Sequence, residues 1–391
     1  MSAIQIRTNL QSSAKIHPQI RHCFVFLELF AKEGGIQSYI KDIFRAYPEG
    51  STADIFLLRD AEDCENPYAS EGLKFHYFKT QSLGFSRLKM AIALFKYLWV
   101  QRPTHVYCGH VNLAPLISLL CQSLGIPYTV MTYGKEVWEK LSIPTKLSLG
   151  KAQAIWTISR YTRDIACAVN NLNPDQIQIL PCAVDHEYFT PGAKSPELLK
   201  RYGLDDAKVL VTVARLWSGD IYKGVDVTIR ALPRILKNFP EVKYLVVGRG
   251  DDQPRLARLA EEMGVSDRVI FAGFVPTEEL IQHYRLADAY IMPSQEGFGI
   301  VYLEAMACGI PVLSGDADGS ADPLQDGKLG WRVPHRDPEA VSQACIEILT
   351  GKDQRCHGEW LREQAINYFG FPAFQNRLQQ QLLEHQSSRS S

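Results

Sequence analysis

The sequence lacks the features that define several classes of protein. Its nine cysteines never form a C-x-x-C pair, which argues against a zinc site or a disulfide framework and favours buried, reduced thiols. The 42 lysines and arginines are balanced by 43 aspartates and glutamates, so the chain has no overall positive field and no nucleic-acid partner is expected. The longest apolar run, 90–100, is only 11 residues and too short to span a bilayer. Residues 1–20 lack the apolar core of a secretory signal, and we expect a cytoplasmic protein.

Short apolar runs alternate with longer helical patterns through most of the 391 residues. This alternation is typical of parallel sheets covered by helices, so the predicted fold class is α/β. The predicted strands are 23–27, 54–58, 105–108, 128–131, 154–158 and 178–180 in the first half, and 209–213, 243–247, 269–272, 289–292, 312–314 and 330–333 in the second. The count predicts two Rossmann-like domains.

The strand pattern is interrupted near 186–196, where two prolines and a glycine indicate a linker. We therefore predict an N-terminal Rossmann-like domain over 1–190 and a C-terminal one over 191–366. Residues 367–391 are predicted to form a C-terminal helix and tail, with the helix packing back on the N-terminal domain.

The segment 293–311 carries the clearest functional signal. A strand runs into a turn with two glycines, and a helix of good helix formers begins near Ile300. The free N–H groups at this helix start favour a phosphate or hydroxyl at the carboxyl edge of the sheet, where open α/β sheets bind ligands. Glu296 in the turn and Glu304 within the helix suit the vicinal hydroxyls of sugars, so the segment predicts a nucleotide-sugar site. The alternative is that both glutamates are ordinary charges of a helix start and a solvated helix face.

Two further loops follow strands of the second half and reach the same edge. Arg215 can form a bidentate contact with a diphosphate and Lys223 adds a point charge, so together they can neutralise a leaving group. A solvated loop with ordinary charges is the alternative. The loop of Phe274 and Val275 offers backbone groups that could bind a base, and a plain connecting turn fits the same residues.

The motif Glu296-x7-Glu304 within EGFGIVYLEAMACGIPV resembles the retaining glycosyltransferases of family 4, which have the GT-B fold of two Rossmann-like domains facing a cleft. Other segments stand where such enzymes carry motifs: Arg215, Lys223-Gly224, Asp326-Gly-Lys-Leu-Gly330, Glu33-Gly34-Gly35, His110 and Val184-Asp185. The segment 315–322 resembles a bacterial branch, in part cyanobacterial, that builds envelope and extracellular polysaccharides.

The resemblance implies a role for each matching side chain of the second domain. Arg215 and Lys223 would hold the donor diphosphate, and Glu304 would hold the ribose hydroxyls. The backbones of Phe274 and Val275 would contact the base.

The resemblance also assigns the residues nearest to the reacting sugar. The donor sugar would be held by Glu296 and by the amides of Gly297, Phe298 and Gly299, and the phosphate oxygens by the amides of Ile300 and Val301. From the first domain, Gly35 would let backbone approach the phosphates, and His110 would touch the sugar near the reacting carbon. His110, Glu296, Arg215 and Lys223 are thus the implied catalytic set, although a histidine at a strand end can also be a packing residue.

The resemblance further implies transfer with retention, without a cofactor and without a metal ion, because Arg and Lys stabilise the departing nucleoside diphosphate. The acidic pairs Asp251-Asp252 and Asp316-x-Asp318 are typical of caps and turns rather than of a metal site. The chain departs from the family pattern in three places. Seven residues separate Arg215 from Lys223, Tyr133-Gly134 stands where many relatives have His-Gly, and Pro181-Cys182-Ala183 stands before Val184 where Asn-Gly is more frequent.

The segment 86–102 predicts a helix with four basic side chains and many apolar ones. Such a helix could lie on a membrane, which would suit a lipid-linked acceptor. A Rossmann helix with one buried face and basic ends has the same pattern and is our preferred interpretation, so peripheral contact with the inner face of the cytoplasmic membrane stays a hypothesis.

The predicted function is transfer of a hexose from a nucleotide-diphosphate sugar to a glycan or lipid-linked oligosaccharide in envelope polysaccharide synthesis. UDP-glucose is the preferred donor, and GDP-mannose is the alternative. Three rivals share the two-domain architecture. A nucleotide-sugar epimerase usually lacks the Glu296-x7-Glu304 block, a phosphorylase needs a cofactor lysine setting that we do not find, and a sugar-binding protein is expected to carry a signal peptide.

Overall fold

A computed structural model of the protein describes residues 21–32 and 34–387, with the side chains of all these residues except 386 and 387. The predictions for residues 1–20, for Glu33 and for the last residues of the tail, 388–391, lie outside the described residues.

The first sheet has seven parallel strands in the spatial order β3-β2-β1-β4-β5-β6-β7. Their bounds are β1 (Arg21–Phe26), β2 (Thr52–Leu57), β3 (Leu73–Tyr77), β4 (His105–Cys108), β5 (Tyr128–Thr132), β6 (Ala154–Thr157) and β7 (Ile177–Ile179). In the register of the central strands, Phe24 of β1 lies beside Ile55 of β2 and Tyr107 of β4. Helices cover both faces of this sheet, which explains why its central strands are continuous apolar runs.

The second sheet has six parallel strands in the order β10-β9-β8-β11-β12-β13. Their bounds are β8 (Lys208–Val213), β9 (Val242–Val247), β10 (Val269–Gly273), β11 (Ala289–Met292), β12 (Val312–Gly315) and β13 (Trp331–Val333). In each sheet the strand order reverses at one point, between β1 and β4 and between β8 and β11, and loops at such a point leave a crevice for a ligand. The predicted α/β fold of two Rossmann-like domains is confirmed.

Fourteen helices occur in the described residues. They are α1 (Gly35–Arg45), α2 (Leu83–Gln101), α3 (Ala114–Leu124), α4 (Lys135–Trp138), α5 (Ile143–Gly150), α6 (Arg160–Asn170), α7 (Pro196–Tyr202), α8 (Val225–Ile235), α9 (Gln253–Glu262), α10 (Thr277–Tyr284), α11 (Ile300–Ala307), α12 (Pro338–Thr350), α13 (Gly358–Phe369) and α14 (Phe371–Ser387). Local sequence sets several of their ends. The Ser159 hydroxyl accepts the Thr162 N–H at the start of α6, and α3 ends at Gly125, whose φ of 64° suits glycine.

The strand β3 is absent from the sequence-based prediction. It lies at the edge of the first sheet, where only β2 pairs with it, and all of its residues are partly or fully exposed. A strand that is not buried needs no continuous apolar run, so the sequence LKFHY gives little signal.

The helix α14 returns to the N-terminal domain, as predicted. The chain crosses back at Gly370, which forms a parallel bridge with Val184, and Phe374 then packs edge-on against Tyr39 with 5.9 Å between the ring centroids. Near the helix end the Gln381 amide donates to the Ile179 carbonyl. The strands of the two sheets fall on either side of residue 190, and the exact domain bounds stay a prediction.

The helix α2 packs one face on the first sheet and leaves the other face exposed. Met90, Leu94 and Leu98 are buried, whereas Ile92 and Trp99 are about 60% exposed. The preferred interpretation of 86–102 as a Rossmann helix therefore describes only the inner face. Within the described ranges, no helix combines the length and the hydropathy that crossing a bilayer requires.

Candidate active site

A cavity of about 430 Å³ lies in the cleft between the two domains. Its walls contain many of the residues assigned from the sequence: Gly35 from the first domain, and Lys223, Glu296, Gly297, Phe298, Gly299, Ile300 and Val301 from the second. The other assigned residues, His110, Arg215, Phe274, Val275 and Glu304, lie outside this lining. The structure therefore brings together the predicted sugar-binding turn, the helix start and one of the two predicted phosphate cations.

The turn of Glu296 is fixed by a buried aspartate. Asp318 accepts hydrogen bonds from the backbone N–H of Glu296 at 2.7 Å and from that of Ser320 at 2.9 Å. The Gly319 N–H donates to the Glu296 carbonyl at 2.8 Å, and a Cβ at Gly319 would lie 2.0 Å from the Gly297 carbonyl oxygen. Burial raises the pKa of Asp318 to about 7. The prediction that the pair Asp316-x-Asp318 belongs to a cap is confirmed for Asp318, and its link to Glu296 has no signal in the sequence.

Lys223 and Glu296 form an ion pair across the turn. Their Nζ and Oε1 atoms are 2.5 Å apart, and both side chains are at most one-fifth exposed. Lys223 ends the loop after β8, where Gly224, with a φ of 76°, turns the chain into α8. The cation and the carboxylate of the cavity therefore contact each other.

Arg215 lies at the start of the same loop and does not line the cavity. Its Nε lies 2.7 Å from the buried Asp220 carboxylate, and 68% of its side chain is exposed. The guanidinium lies 5.6 Å from the Trp217 ring centroid, beside an open hollow that also contains Arg249. The seven residues between Arg215 and Lys223 include a tight helical turn, and only Lys223 of the two cations lines the cavity between the domains.

Glu304 faces α10 from the second turn of α11. Its carboxylate accepts a 2.6 Å hydrogen bond from the Tyr284 hydroxyl, and burial raises the pKa of Glu304 to about 7. Phe274 follows β10, is 59% exposed, and has the Arg249 guanidinium 4.6 Å from its ring centroid. None of these groups lines the cavity, and neither Tyr284 nor Arg249 was identified from the sequence.

His110 has a local structural role at the carboxyl end of β4. Its Nδ1 accepts the Asn112 N–H at 3.1 Å and so caps the turn that follows, and burial lowers the pKa of His110. Tyr133, at the position where many relatives have histidine, does line the cavity, and its hydroxyl donates to the Gly109 carbonyl at 3.0 Å. The packing role considered for His110 is thus present in the structure, and its contact with a sugar stays a prediction.

Two segments of the N-terminal domain contact the other domain across the cleft. The loop of Tyr133, Gly134 and Lys135 approaches Gly297 closely. A Cβ added at Gly297 would lie 2.6 Å from the Tyr133 carbonyl oxygen. At the start of α6, the backbone N–H of Arg160 donates to Asp322 at 2.7 Å, and its guanidinium contacts both Asp322 and Asp326. Among the described residues, no group of three or more His, Cys, Asp or Glu side chains could hold a metal ion, and a metal-independent reaction stays a prediction.

The fold and the cleft define a two-domain α/β protein of the GT-B type. A crystal structure of the Anabaena protein HepE in complex with UDP matches the fold with a TM-score of 0.75 at 17% identity, covering 93% of this chain and all of that one. Residues 207–351 match the model of a family described as glycosyl transferases group 1.

Curated relatives extend the match over both domains. A GDP-mannose-dependent α-(1-6)-phosphatidylinositol monomannoside mannosyltransferase of Mycolicibacterium smegmatis is 30% identical over 81% of this chain and 86% of its own length. A D-inositol 3-phosphate glycosyltransferase of Acidothermus cellulolyticus is 35% identical over 50% of this chain and 44% of its own length. The chain belongs to the group 1 glycosyltransferases, which confirms the family and the enzyme class predicted from the sequence. The cyanobacterial, polysaccharide-building branch stays a prediction.

Proposed function

We propose that this glycosyltransferase moves a mannose, with retention, from GDP-mannose bound on the second domain to an acceptor bound on the first. The observation that carries the proposal is the Lys223–Glu296 pair beside the start of α11 in the cavity between the domains. We prefer GDP-mannose to UDP-glucose as the donor because the M. smegmatis relative, which is similar along both domains, is named for GDP-mannose. UDP-glucose is the second candidate, because a protein with this fold has been solved with UDP.

The ion pair suggests how the donor enters. A diphosphate carries more negative charge than the single carboxylate of Glu296, so it competes for the Lys223 ammonium. Glu296 is then free to accept hydrogen bonds from the sugar hydroxyls. The backbone N–H groups at the start of α11 face the same cavity and favour the phosphate oxygens. Both sets of groups would stabilise the nucleoside diphosphate as the bond to the sugar breaks, and the leaving phosphate oxygen would take the proton of the acceptor hydroxyl as that hydroxyl bonds to the sugar.

Calorimetric titration with GDP, UDP, GDP-mannose and UDP-glucose, all in EDTA, tests the donor site. We expect GDP and GDP-mannose to bind, and Lys223→Ala to weaken both by roughly tenfold or more, since a charge-assisted contact is lost. Lys237→Ala, an exposed lysine on the same domain, is the matched control and should bind as the wild type does. If UDP binds tightly and GDP does not, UDP-glucose becomes the proposed donor in place of GDP-mannose. If none of the four ligands binds, the proposed donor site is refuted.

The acceptor side of the proposal rests on the exposed face of the first domain. The M. smegmatis relative is named for a phosphatidylinositol monomannoside, and a phosphatidylinositol lipid lies in a bilayer. The apolar face consists of exposed side chains on α2, α3 and α5: Leu83, Phe85, Leu88, Ile92, Phe95, Trp99, Val100, Leu119, Ile143 and Leu147. Residues 79–153 contain nine lysines and arginines but only two acidic residues, in a chain whose net charge is −1. Apolar surface surrounded by positive charge fits an anionic membrane surface, and we propose that the enzyme works there.

Flotation with liposomes tests this membrane contact. The protein should float with vesicles that contain phosphatidylglycerol and remain unbound with pure phosphatidylcholine. The double variant Phe95→Ser, Trp99→Ser should lose most of the binding, whereas Leu383→Ser, an equally exposed leucine on α14, should not. Wild-type protein that stays unbound at low salt would refute the membrane contact without affecting the donor proposal.

A further inference from the structure

A third cation reaches the donor loops, and it comes from the opposite domain. Lys135 begins α4 of the first domain and lines the same cavity as Lys223 and Glu296. Its Nζ lies 3.4 Å from the ring centroid of Tyr222, the residue that precedes Lys223 in the loop after β8. The Nζ of Lys223 lies 5.3 Å from the same ring centroid. One aromatic ring therefore contacts lysines from both sides of the cleft.

The charges around Lys135 belong almost entirely to the second domain. Burial lowers the pKa of Lys135, the carboxylates of Asp220 and Glu296 oppose this effect, and the cations Lys223 and Arg215 add to it. Lys135 is thus electrostatically coupled across the cleft to the groups that are expected to bind the donor. A ligand with negative charge placed between Lys135 and Lys223, which both line the cavity, would relieve their repulsion.

Lys135 forms no ion pair with a carboxylate among the described residues. Asp220 pairs with Arg215 and Glu296 pairs with Lys223, so both nearby carboxylates are already taken. The Lys135 ammonium rests on the Tyr222 ring instead, and a cation–π contact at an exposed site is weak. Because Lys223 and Arg215 already pair with carboxylates, an incoming anion can bind the Lys135 ammonium without breaking an ion pair.

The backbone around Lys135 is held firmly while its side chain stays accessible. The Glu136 carboxylate accepts the N–H groups of Tyr133 and Gly134, which fixes the turn before α4. Gly134 has a φ of 152°, which favours glycine. A Cβ at Gly134 would lie 3.5 Å from the Gly297 Cα of the other domain, so the two glycines are in close contact. A fixed turn with a flexible, exposed lysine at its end suits a group that reaches for a ligand.

We propose that Lys135 is a third diphosphate-binding residue, supplied by the first domain, and that it leaves the Tyr222 ring for the donor diphosphate. The inference rests on the proposed function and names a contact that the donor makes with the acceptor domain. Because Lys223 belongs to the second domain and Lys135 to the first, a diphosphate held by both links the two domains. Donor binding then keeps the cleft closed while the acceptor is bound.

The test compares Lys135→Gln, Lys135→Arg and Lys140→Gln with the wild type. Lys140 is an exposed lysine five residues further on and does not line the cavity, so it controls for loss of charge on the same domain. We expect Lys135→Gln to bind GDP roughly tenfold more weakly, the effect of losing one charge-assisted contact, with a smaller loss for GMP. In transfer assays the KM for the donor should rise by a similar factor while kcat falls less, and Lys135→Arg should recover most of the affinity.

Two results would overturn the assignment. GDP affinity of Lys135→Gln within twofold of both the wild type and Lys140→Gln would refute the contact and leave the proposed function intact. An equal loss of GDP and GMP affinity that Lys135→Arg does not recover would indicate a role in shaping the cleft rather than in binding the diphosphate. Failure of the wild type to bind any nucleoside diphosphate would instead refute the proposed function itself.

Discussion

Replacement of Gly297 by alanine should slow the enzyme without unfolding it. A methyl group at Gly297 would lie 2.6 Å from the Tyr133 carbonyl oxygen and 3.5 Å from the Gly134 Cα, and all of its nearest neighbours belong to the facing domain. Carbon and oxygen atoms in contact are normally about 3.4 Å apart or more, so the two domains must separate at this point by roughly 0.8 Å. The clash lies at the contact between the domains and not within the packing of either sheet.

The expected loss of kcat/KM follows from where the domains separate, which is beside the donor turn. Displacing reacting groups by about 1 Å can reduce the rate by roughly 100-fold, so kcat/KM of Gly297→Ala should fall by roughly 10- to 100-fold. The melting temperature should change by less than about 2 °C, because no core contact is lost. Steady-state transfer assays and differential scanning calorimetry measure the two quantities.

The control for this variant is Gly150→Ala in α5, where a Cβ would meet nothing within 4 Å. It should keep full activity and melt at the same or a slightly higher temperature, because alanine is the better helix former. Wild-type kcat/KM in Gly297→Ala would show that the Tyr133 loop and the donor turn do not need to touch, and the reasoning would be refuted. A large fall in melting temperature would show that the clash is not confined to the interface.

The remaining predictions concern pH, the domain interface and metal. Since burial raises the pKa of Glu304 to about 7, its ionisation opposes folding as the pH rises from 4.5 through 7. Glu304→Gln should therefore melt higher than the wild type at pH 8 but not at pH 4.5, and should bind nucleotide more weakly; equal melting at pH 8 would contradict the burial effect. Arg160→Gln removes the contacts to Asp322 and Asp326 and should lower stability by about 1 kcal/mol in urea unfolding, with a higher donor KM. Transfer should persist in EDTA, and recovery of lost activity by added Mg²⁺ or Mn²⁺ would contradict the metal-independent mechanism.

The fold could be predicted from sequence wherever strands are buried on both faces. Such strands, of which β1, β8 and β11 are examples, are largely apolar, and short apolar runs between helical patterns can be recognised in a single sequence. The edge strand β3 was missed because its exposed side chains are free to be polar. The helix of residues 86–102 was located correctly, yet the sequence could not show which of its two apolar sides would remain exposed.

Only the part of the site that is contiguous in sequence was predicted. Glu296 and the glycines after it lie next to one another in sequence, so local rules place them at a strand end and a helix start. The partners that fix or complement this turn come from distant parts of the chain, such as Asp318, 22 residues away, and Lys135 on the other domain. Their positions depend on how loops meet in space, for which a single sequence carries no periodic signal.

The sequence by itself therefore determined the architecture and the chemical type of the site, because burial and local backbone geometry leave their pattern in consecutive residues. Only the tertiary structure decided which charges meet. It pairs Lys223 with Glu296 and Arg215 with the buried Asp220, and it brings Lys135 across the cleft onto Tyr222. The physical reason is that electrostatic contacts depend on distances of a few ångströms between separate loops, and those distances are fixed by the packing of two whole domains.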